Sequence, residues 1–304
     1  MSLPPGSAAY MSSTIHHVQA EQESFHNFFQ AWIVEQDNHL NELISASKTQ
    51  AETNSSKEEA EMILRPLINQ VVQHYEEYYQ AKSNWGKQDV LAMLSPTWTS
   101  SFEDAFLWIG GWRPSMAFHL LYSKSGLQLE AKLEEILRGL GTGDLGDLTP
   151  SQLVSVDELH RKIIKEEKKI TEKMAKHQET VADTSMVDLS HIMTELQNAE
   201  AESGLVNSTL APKEEGLERL LQIADDLRLT TLKGVINILS AIQAVHFLIA
   251  AAELHLRIHE WGQKRDAANH THLNPMASTT KTMGSRHPAT NITSTSTIER
   301  VILN

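Results

Sequence analysis

Apolar residues recur at intervals of three and four along most of this chain. Phe25, Phe28, Phe29, Trp32, Ile33, Leu40 and Leu43 mark one face of a helix near 20–48, with Gln36 as its one polar member. Ser56-Lys57-Glu58-Glu59 has the form of a capping box, in which serine and glutamate side chains each satisfy the other's backbone N–H. It opens a helix through Met62, Ile63, Leu67, Val71, Tyr75 and Tyr78, delayed or kinked at Pro66, which has no N–H to donate. A second such box, Ser100-Ser101-Phe102-Glu103, starts a short helix that Gly110-Gly111 would end. Pro114 suits the first turn of the next.

Thr149-Pro150 is a further helix start. From there Leu153, Val156, His160, Ile163, Glu167, Ile170, Met174, His177 and Val181 form the seam of a long helix over 150–182. Its three polar members weaken a dimeric coiled coil, so the helix is read as packed inside its own bundle, with a homodimer left open. The mixed run Lys165–Lys169 is read as a solvated face. Shorter helices are expected near 185–201 and 213–229, and a last, central one over 231–262. Its apolar stretch is interrupted by Asn237, Ser240, Gln243, His246 and Glu253, which suits a buried helix and not lipid. No alternating pattern of strand type appears. The fold class is all-α: a multi-helix bundle with a long central C-terminal helix and disordered tails. The domain is placed at 21–265, between tails at 1–20 and 266–304 that are rich in Ser, Thr, Asn and His, with a linker near 139–148 joining two helical halves.

Charge narrows the partners. The 304 residues carry Lys+Arg 26 and Asp+Glu 39, a net −13. A body so acidic repels phosphate backbones, so direct nucleic-acid binding through a broad basic face is disfavoured. The absence of cysteine removes disulfides, thiolate nucleophiles and Cys-based metal sites, and fits a reducing compartment. The N-terminal residues show no signal-peptide pattern.

Three groups of residues carry candidate chemistry. Gly141-Thr142-Gly143-Asp144-Leu145-Gly146 matches a phosphate-binding loop in letters only, since no strand pattern precedes it and Asp144 and Asp147 add negative charge, so it reads as linker. His255 and His259, four apart on one helix face, read either as helix-end histidines or as ligands to a metal ion or haem iron; in the haem case one ligates and the other supports, or a second chain contributes. The aromatic set Trp98, Phe102, Phe106, Trp108 and Trp112 reads as a core seam or as the wall of an apolar ligand pocket. Arg113, between Trp112 and Pro114, is read as satisfying helix-end carbonyls or a carboxylate. Phe28, Phe29 and Trp32 face either the core or, as a docking motif, a partner groove. The local signatures of nucleotide, zinc-protease and serine-hydrolase chemistry are missing, and nothing in the pattern argues for dispersed catalytic groups.

The run from Ser95 to Ser115, with Trp98, Trp108, Gly110, Gly111, Arg113 and Pro114 at its centre, resembles the signature of the Delay of Germination domain. That domain occurs in stand-alone seed-dormancy regulators of plants and in the C-terminal part of TGA-type bZIP transcription factors. The similarity extends through Leu148–Lys169 and Arg219–Leu239 to His255-Leu256-Arg257-Ile258-His259-Glu260-Trp261-Gly262. The resemblance implies a non-enzymatic regulator of dormancy and abscisic acid signalling, in nucleus and cytoplasm, that binds type 2C protein phosphatases and haem. It carries the haem ligands onto His255 and His259. It carries phosphatase docking onto Asn27–Trp32, where the Trp and one aromatic persist and the family's acids do not. The TGA branch implies two alternatives: a transcriptional regulator that reaches DNA only through bZIP partners, and a bundle that holds a fatty-acid-like ligand. No membrane role is implied.

Overall fold

Four reciprocal caps fix where the principal helices begin. Ser56 N donates to Glu59 at 3.0 Å while Glu59 N donates to Ser56 Oγ at 3.2 Å. Ser100 and Glu103 make the same exchange at 2.8 and 3.2 Å, Thr149 and Gln152 at 3.0 and 3.2 Å, and Ser240 and Gln243 at 3.0 and 3.4 Å. Such caps satisfy N–H groups that the first helical turn leaves free, each contributing about 1 kcal/mol.

The computed structural model describes residues 5–53, 56–131, 144–195 and 199–273. The helices are α1 (Pro5–Thr53), α2 (Lys57–Gly86), α3 (Val90–Leu94), α4 (Ser101–Asp104), α5 (Met116–Ala131), α6 (Pro150–Glu179), α7 (Thr184–Glu195), α8 (Ala199–Ile238) and α9 (Ala241–Leu273). Short 3-10 turns occupy Leu145–Asp147 and Thr180–Ala182. The described residues contain no strand, so the fold is all-α. α8 packs against α2, α3, α5, α6 and α7, and α9 fills the core with Ala241, Ala244, Val245, Phe247 and Leu248. Ala241–Asn269 has the length and apolarity of a membrane-crossing helix, but the first half of it is largely core here. The chain divides between Asp266 and Ala267; in the second unit the described residues are the last turns of α9.

Several boundaries differ from the sequence pattern. α1 starts at Pro5 rather than near 20. Pro66 lies inside α2 and Pro212 inside α8, so neither proline ends its helix. Around Pro212 the chain is held from outside: His177 Nε2 donates to the Lys213 carbonyl at 2.7 Å, and Lys213 Nζ reaches the Thr180 carbonyl and Asp183, each at 2.7 Å. The apolar stretch 232–256 is two helices, not one, broken at Leu239-Ser240. There the Ser240–Gln243 cap starts α9, and Gln152 Nε2 donates to the Ile238 carbonyl at 3.0 Å. α4 ends at Asp104, well before Gly110. Part of the linker, 139–143, lies outside the described residues. Its remainder is docked, with Leu145 fully buried and its carbonyl accepting from Ser125 Oγ at 2.7 Å.

Within Lys165–Lys169, Glu167 departs from the solvated reading: it is buried and accepts from Ser115 N at 2.5 Å and Ser115 Oγ at 3.1 Å. Arg113 Nη1 lies 3.6 Å from the same carboxylate. The carbonyls of the loop around Arg113 are taken by a residue the pattern does not single out. Arg228 donates from Nε to the Trp112 carbonyl at 2.7 Å, and from Nη2 to the carbonyls of Trp108 and of Ile109, the latter at 2.9 Å. Its Nη1 bonds Asp225, which also accepts from Lys82 Nζ at 3.0 Å, and Lys82 reaches the Gly110 carbonyl at 2.6 Å. All three ionic side chains are buried. Burial pushes the Lys82 ammonium down to about 8, with Asp225 opposing it.

The loop 108–113 therefore takes its shape from two buried cations. Gly110 sits at φ +67°, and a Cβ there would stand 2.7 Å from the Met93 carbonyl oxygen. Gly111 packs against the Arg228 guanidinium, whose Cζ would stand 2.9 Å from a Cβ placed there.

Arg228→Met keeps bulk but leaves Asp225 with Lys82 alone and three loop carbonyls without their donor. Urea denaturation should show a loss of roughly 3–5 kcal/mol. Gly110→Ala, strained at positive φ and short of space, should lose about 1–3 kcal/mol. Unchanged midpoints in both would rule out this origin of the loop's shape.

Candidate functional site: an aromatic cavity beside His255

Two hydrophobic clusters leave a cavity between them. One centres on Ile68, Phe118, Val235 and Phe247; the other is the aromatic group Phe25, Phe29, Trp32 and Trp98 with Met93 and Leu221. The cavity, about 230 Å³, is walled by Phe29, Trp32, Tyr78, Trp98, Trp112 and Phe247, and its polar lining includes Tyr79, Lys82, Arg228, Glu103 and His255. The loop 108–113 forms one side and α9 another.

His255 is half-buried, with its ring 5.6 Å from Trp32 and 6.4 Å from Trp112. Burial pushes its imidazole down to about 4, Glu103 acting in the opposite sense and His259 in the same one. It is therefore neutral at physiological pH, the form that ligates a metal. His259, one turn on, is buried and its ring meets Phe29 edge-on at 5.6 Å. Its Nδ1 donates to Glu103 at 3.0 and 3.2 Å. Glu103 is thus more than the closing member of a cap. Its burial would raise the carboxyl, but hydrogen bonds from His259 and Ser100 outweigh that and hold it below the usual range. Close packing of α9 on α4 is what brings the pair together. Gly262 lies so near Ser100 that a Cβ would come within 1.9 Å of its Oγ, and Ser101 N donates to Asp266 at 2.8 Å.

The remaining candidate residues divide between core and surface. Phe29 and Trp32 are buried, and Trp32 Nε1 donates to the His74 carbonyl at 3.2 Å while its ring stacks on His74 at 4.7 Å. This corrects the docking reading for both: their side chains are packed inside, and only Phe28 of the three is partly exposed. Trp98 and Trp108 are buried, Trp108 donating to Thr171 Oγ1 at 3.0 Å and lying under Arg113 at 5.4 Å. Phe102 and Phe106 instead face solvent. In the glycine-rich run, 141–143 lie outside the described residues, and Asp144 Oδ1 accepts from Gly146 N at 2.9 Å. The described residues hold no group of three or more His, Cys, Asp or Glu placed to bind a metal ion.

The sequence pattern does not single out Lys82, Asp225, Arg228 or Glu103 as cavity residues. Asp225 and Arg228 stand three apart, a spacing that signals an ion pair on one helix. Nothing local marks Lys82.

His74 and His255 make the fold acid-sensitive. Each is held down to about 4, chiefly by burial, against an ordinary value of 6.5. The unfolded chain therefore takes up protons between pH 6.5 and 4 that the folded chain refuses, so stability is full above that window and falls as pH drops through it. Melting followed by circular dichroism should show a midpoint that falls as pH is lowered through that window, with a shallower slope in H74F/H255F. A midpoint that rises on acidification would contradict these placements.

Known proteins resemble this chain along most of its length. The family model described as DOG1, seed dormancy control, matches residues 39–123, from α1 through the signature loop into α5. Protein DOG1-like 3 of Arabidopsis thaliana is 33% identical over 242 residues, covering 77% of this chain and 82% of that protein. Protein RESPONSE TO ABA AND SALT 1 of the same plant is 24% identical over 246 residues, covering 81% of this chain and 98% of its own length. Arabidopsis transcription factor TGA2 is 29% identical over 228 residues, covering 75% of this chain and 60% of its own. With 33% identity over an alignment that covers 77% of this chain and 82% of that relative, and the signature loop inside the region the family model matches, the chain belongs to the DOG1 family of seed dormancy control.

Proposed function

We propose that this chain is a non-enzymatic regulator of seed dormancy and the abscisic acid response, and that it holds haem in the aromatic cavity. The observation that carries the haem reading is a neutral imidazole, His255, lining a cavity with aromatic walls. The donor set fits the group. His255 would be the iron ligand. His259, fixed through Nδ1 to the buried Glu103, would hold α9 against α4 and so keep His255, one turn back, on the cavity. The aromatic and aliphatic walls would pack against part of the porphyrin, which is larger than the cavity and would extend through its mouth, and Arg113, half exposed beside Trp112, would meet an acidic edge. Bound haem supplies an iron centre whose ligands respond to redox state and diatomic gases.

Phosphatase contact through α1 falls to the outward residues of the same turns, Asn27, Gln30, Ala31 and Val34, because Phe29 and Trp32 are committed to the core. The likeness to TGA factors supports a working relation with transcription factors of that type. A second reading, an apolar ligand other than haem, draws on the same cavity walls.

Titration of the purified protein with haemin, followed at the Soret band, tests the first reading. Wild type should give a saturable band. His255→Ala should lose it, and Glu103→Gln, which loosens the hold of α9 on α4, should weaken binding. A band unaltered in His255→Ala would overturn the assignment. Absence of any band, with an apolar molecule found by mass spectrometry in the native protein, would favour the second reading.

A further inference from the structure

The outer face of α6 concentrates positive charge on an acidic molecule. Between Arg161 and Lys176 this helix bears Arg161, Lys162, Lys165, Lys168, Lys169, Lys173 and Lys176, all exposed. At about 100° per residue these seven fall within an arc of about 140°, centred opposite the buried seam of Val156, Ile163, Glu167 and Ile170. The ridge is roughly 22 Å long at about 1.5 Å per residue. The same segment holds only Glu166, Glu167 and Glu172 as acids; Glu167 points inward to Ser115 and Arg113, and of the other two only Glu172 stands within the arc. A chain of net charge −13 thus carries a basic ridge.

The fold makes little use of these charges. Arg161 pairs with Asp157, and Lys169 with Glu166 at 2.6 Å. Lys162, Lys165, Lys168, Lys173 and Lys176 make no ion pair among the described residues. Arg161/Lys165, Lys165/Lys169 and Lys169/Lys173 are like charges at i,i+4, and Lys162/Lys165, Lys165/Lys168 and Lys173/Lys176 at i,i+3, spacings that destabilise a helix. Lys162/Glu166, Lys168/Glu172 and Glu172/Lys176 offset part of this, and an anionic partner would remove the repulsion that remains.

We infer that the outer face of α6 is a docking surface for an acidic segment of a partner protein, Asp/Glu-rich over about four helical turns. Charge complementarity selects this occupant. A nucleic acid would meet the acidic remainder of the chain on either side of a ridge one helix wide. An anionic membrane would want bulky apolar groups to insert, and between Arg161 and Lys176 Ile164, beside the arc, is the one large apolar residue exposed. The apolar side of the helix is already spent in the bundle.

The test uses the full chain and three probes: a fluorescein-labelled Glu/Asp-rich peptide of about 16 residues, long enough to span the ridge as a helix, a short duplex DNA of similar or greater length, and phosphatidylcholine vesicles doped with phosphatidylserine. The peptide should bind saturably at low salt, and K165Q/K168Q/K169Q/K173Q should weaken it by about tenfold or more. The melting midpoint of that variant should stay close to wild type, since the repulsions it loses offset its lost attractions to Glu166 and Glu172, and an unchanged midpoint shows that weaker binding is not unfolding. Peptide binding that is absent, or unchanged in the variant, would overturn the inference. Tighter binding of the DNA or the vesicles than of the peptide would overturn it equally, by giving the ridge another class of partner.

Discussion

Two buried cations sharing one carboxylate set the terms for this structure. Lys82 and Arg228 both lean on Asp225, which leaves an excess positive charge in the interior. A buried charge must be compensated, and here the compensation comes from backbone carbonyls of Trp108, Ile109, Gly110 and Trp112. To aim four carbonyls at two side chains, the loop must turn through positive φ at Ile109 and Gly110 and pack against Arg228 at Gly111. The consecutive glycines and their bulky neighbours are the covalent form of that requirement. The loop so shaped becomes a wall of the aromatic cavity.

The same logic governs the opposite wall. Glu103 closes the cap of a four-residue helix and also receives His259 of α9, 156 residues later. A lone carboxylate at 1% exposure would be costly; donors from Ser100 N, Ser100 Oγ and His259 make it tenable and fix the register of α9. That register turns His255, one helical turn back, onto the cavity, where low polarity keeps it uncharged. Cavity and histidine are products of one constraint: polar groups inside the bundle satisfied by the chain's own backbone and carboxylates.

How far the sequence foretells this differs residue by residue. The capping boxes at Ser56 and Ser100 can be read because they are local, each complete within four residues, whereas at Thr149 only the helix start is read and the box with Gln152 emerges from the structure. Ser240-Ala241-Ile242-Gln243 has the same form, yet it sits inside an apolar stretch whose periodicity suggests one helix across it. Pro66 and Pro212 show the reverse: a local breaker is overridden when the flanks pack. The candidate site was half legible. Four-residue spacing places His255 and His259 together, but spacing is silent on which faces a cavity and which is tied to Glu103. Lys82 and the Asp225–Arg228 pair come from two helices far apart in the chain, and only the fold unites them. Phe29 and Trp32 satisfy a core pattern and a docking pattern alike. Burial decides for the core.

The loop over Arg228 and Lys82 holds open a cavity, and in the proposed function His255 receives a ligand there. A crystal structure grown with haemin present puts that arrangement to its most direct test. Planar density should lie between Trp32, Trp112 and α9, with iron at His255 and the Glu103–His259 hydrogen bond intact. Density confined to the outer surface, with the cavity closed by its own side chains, would contradict it.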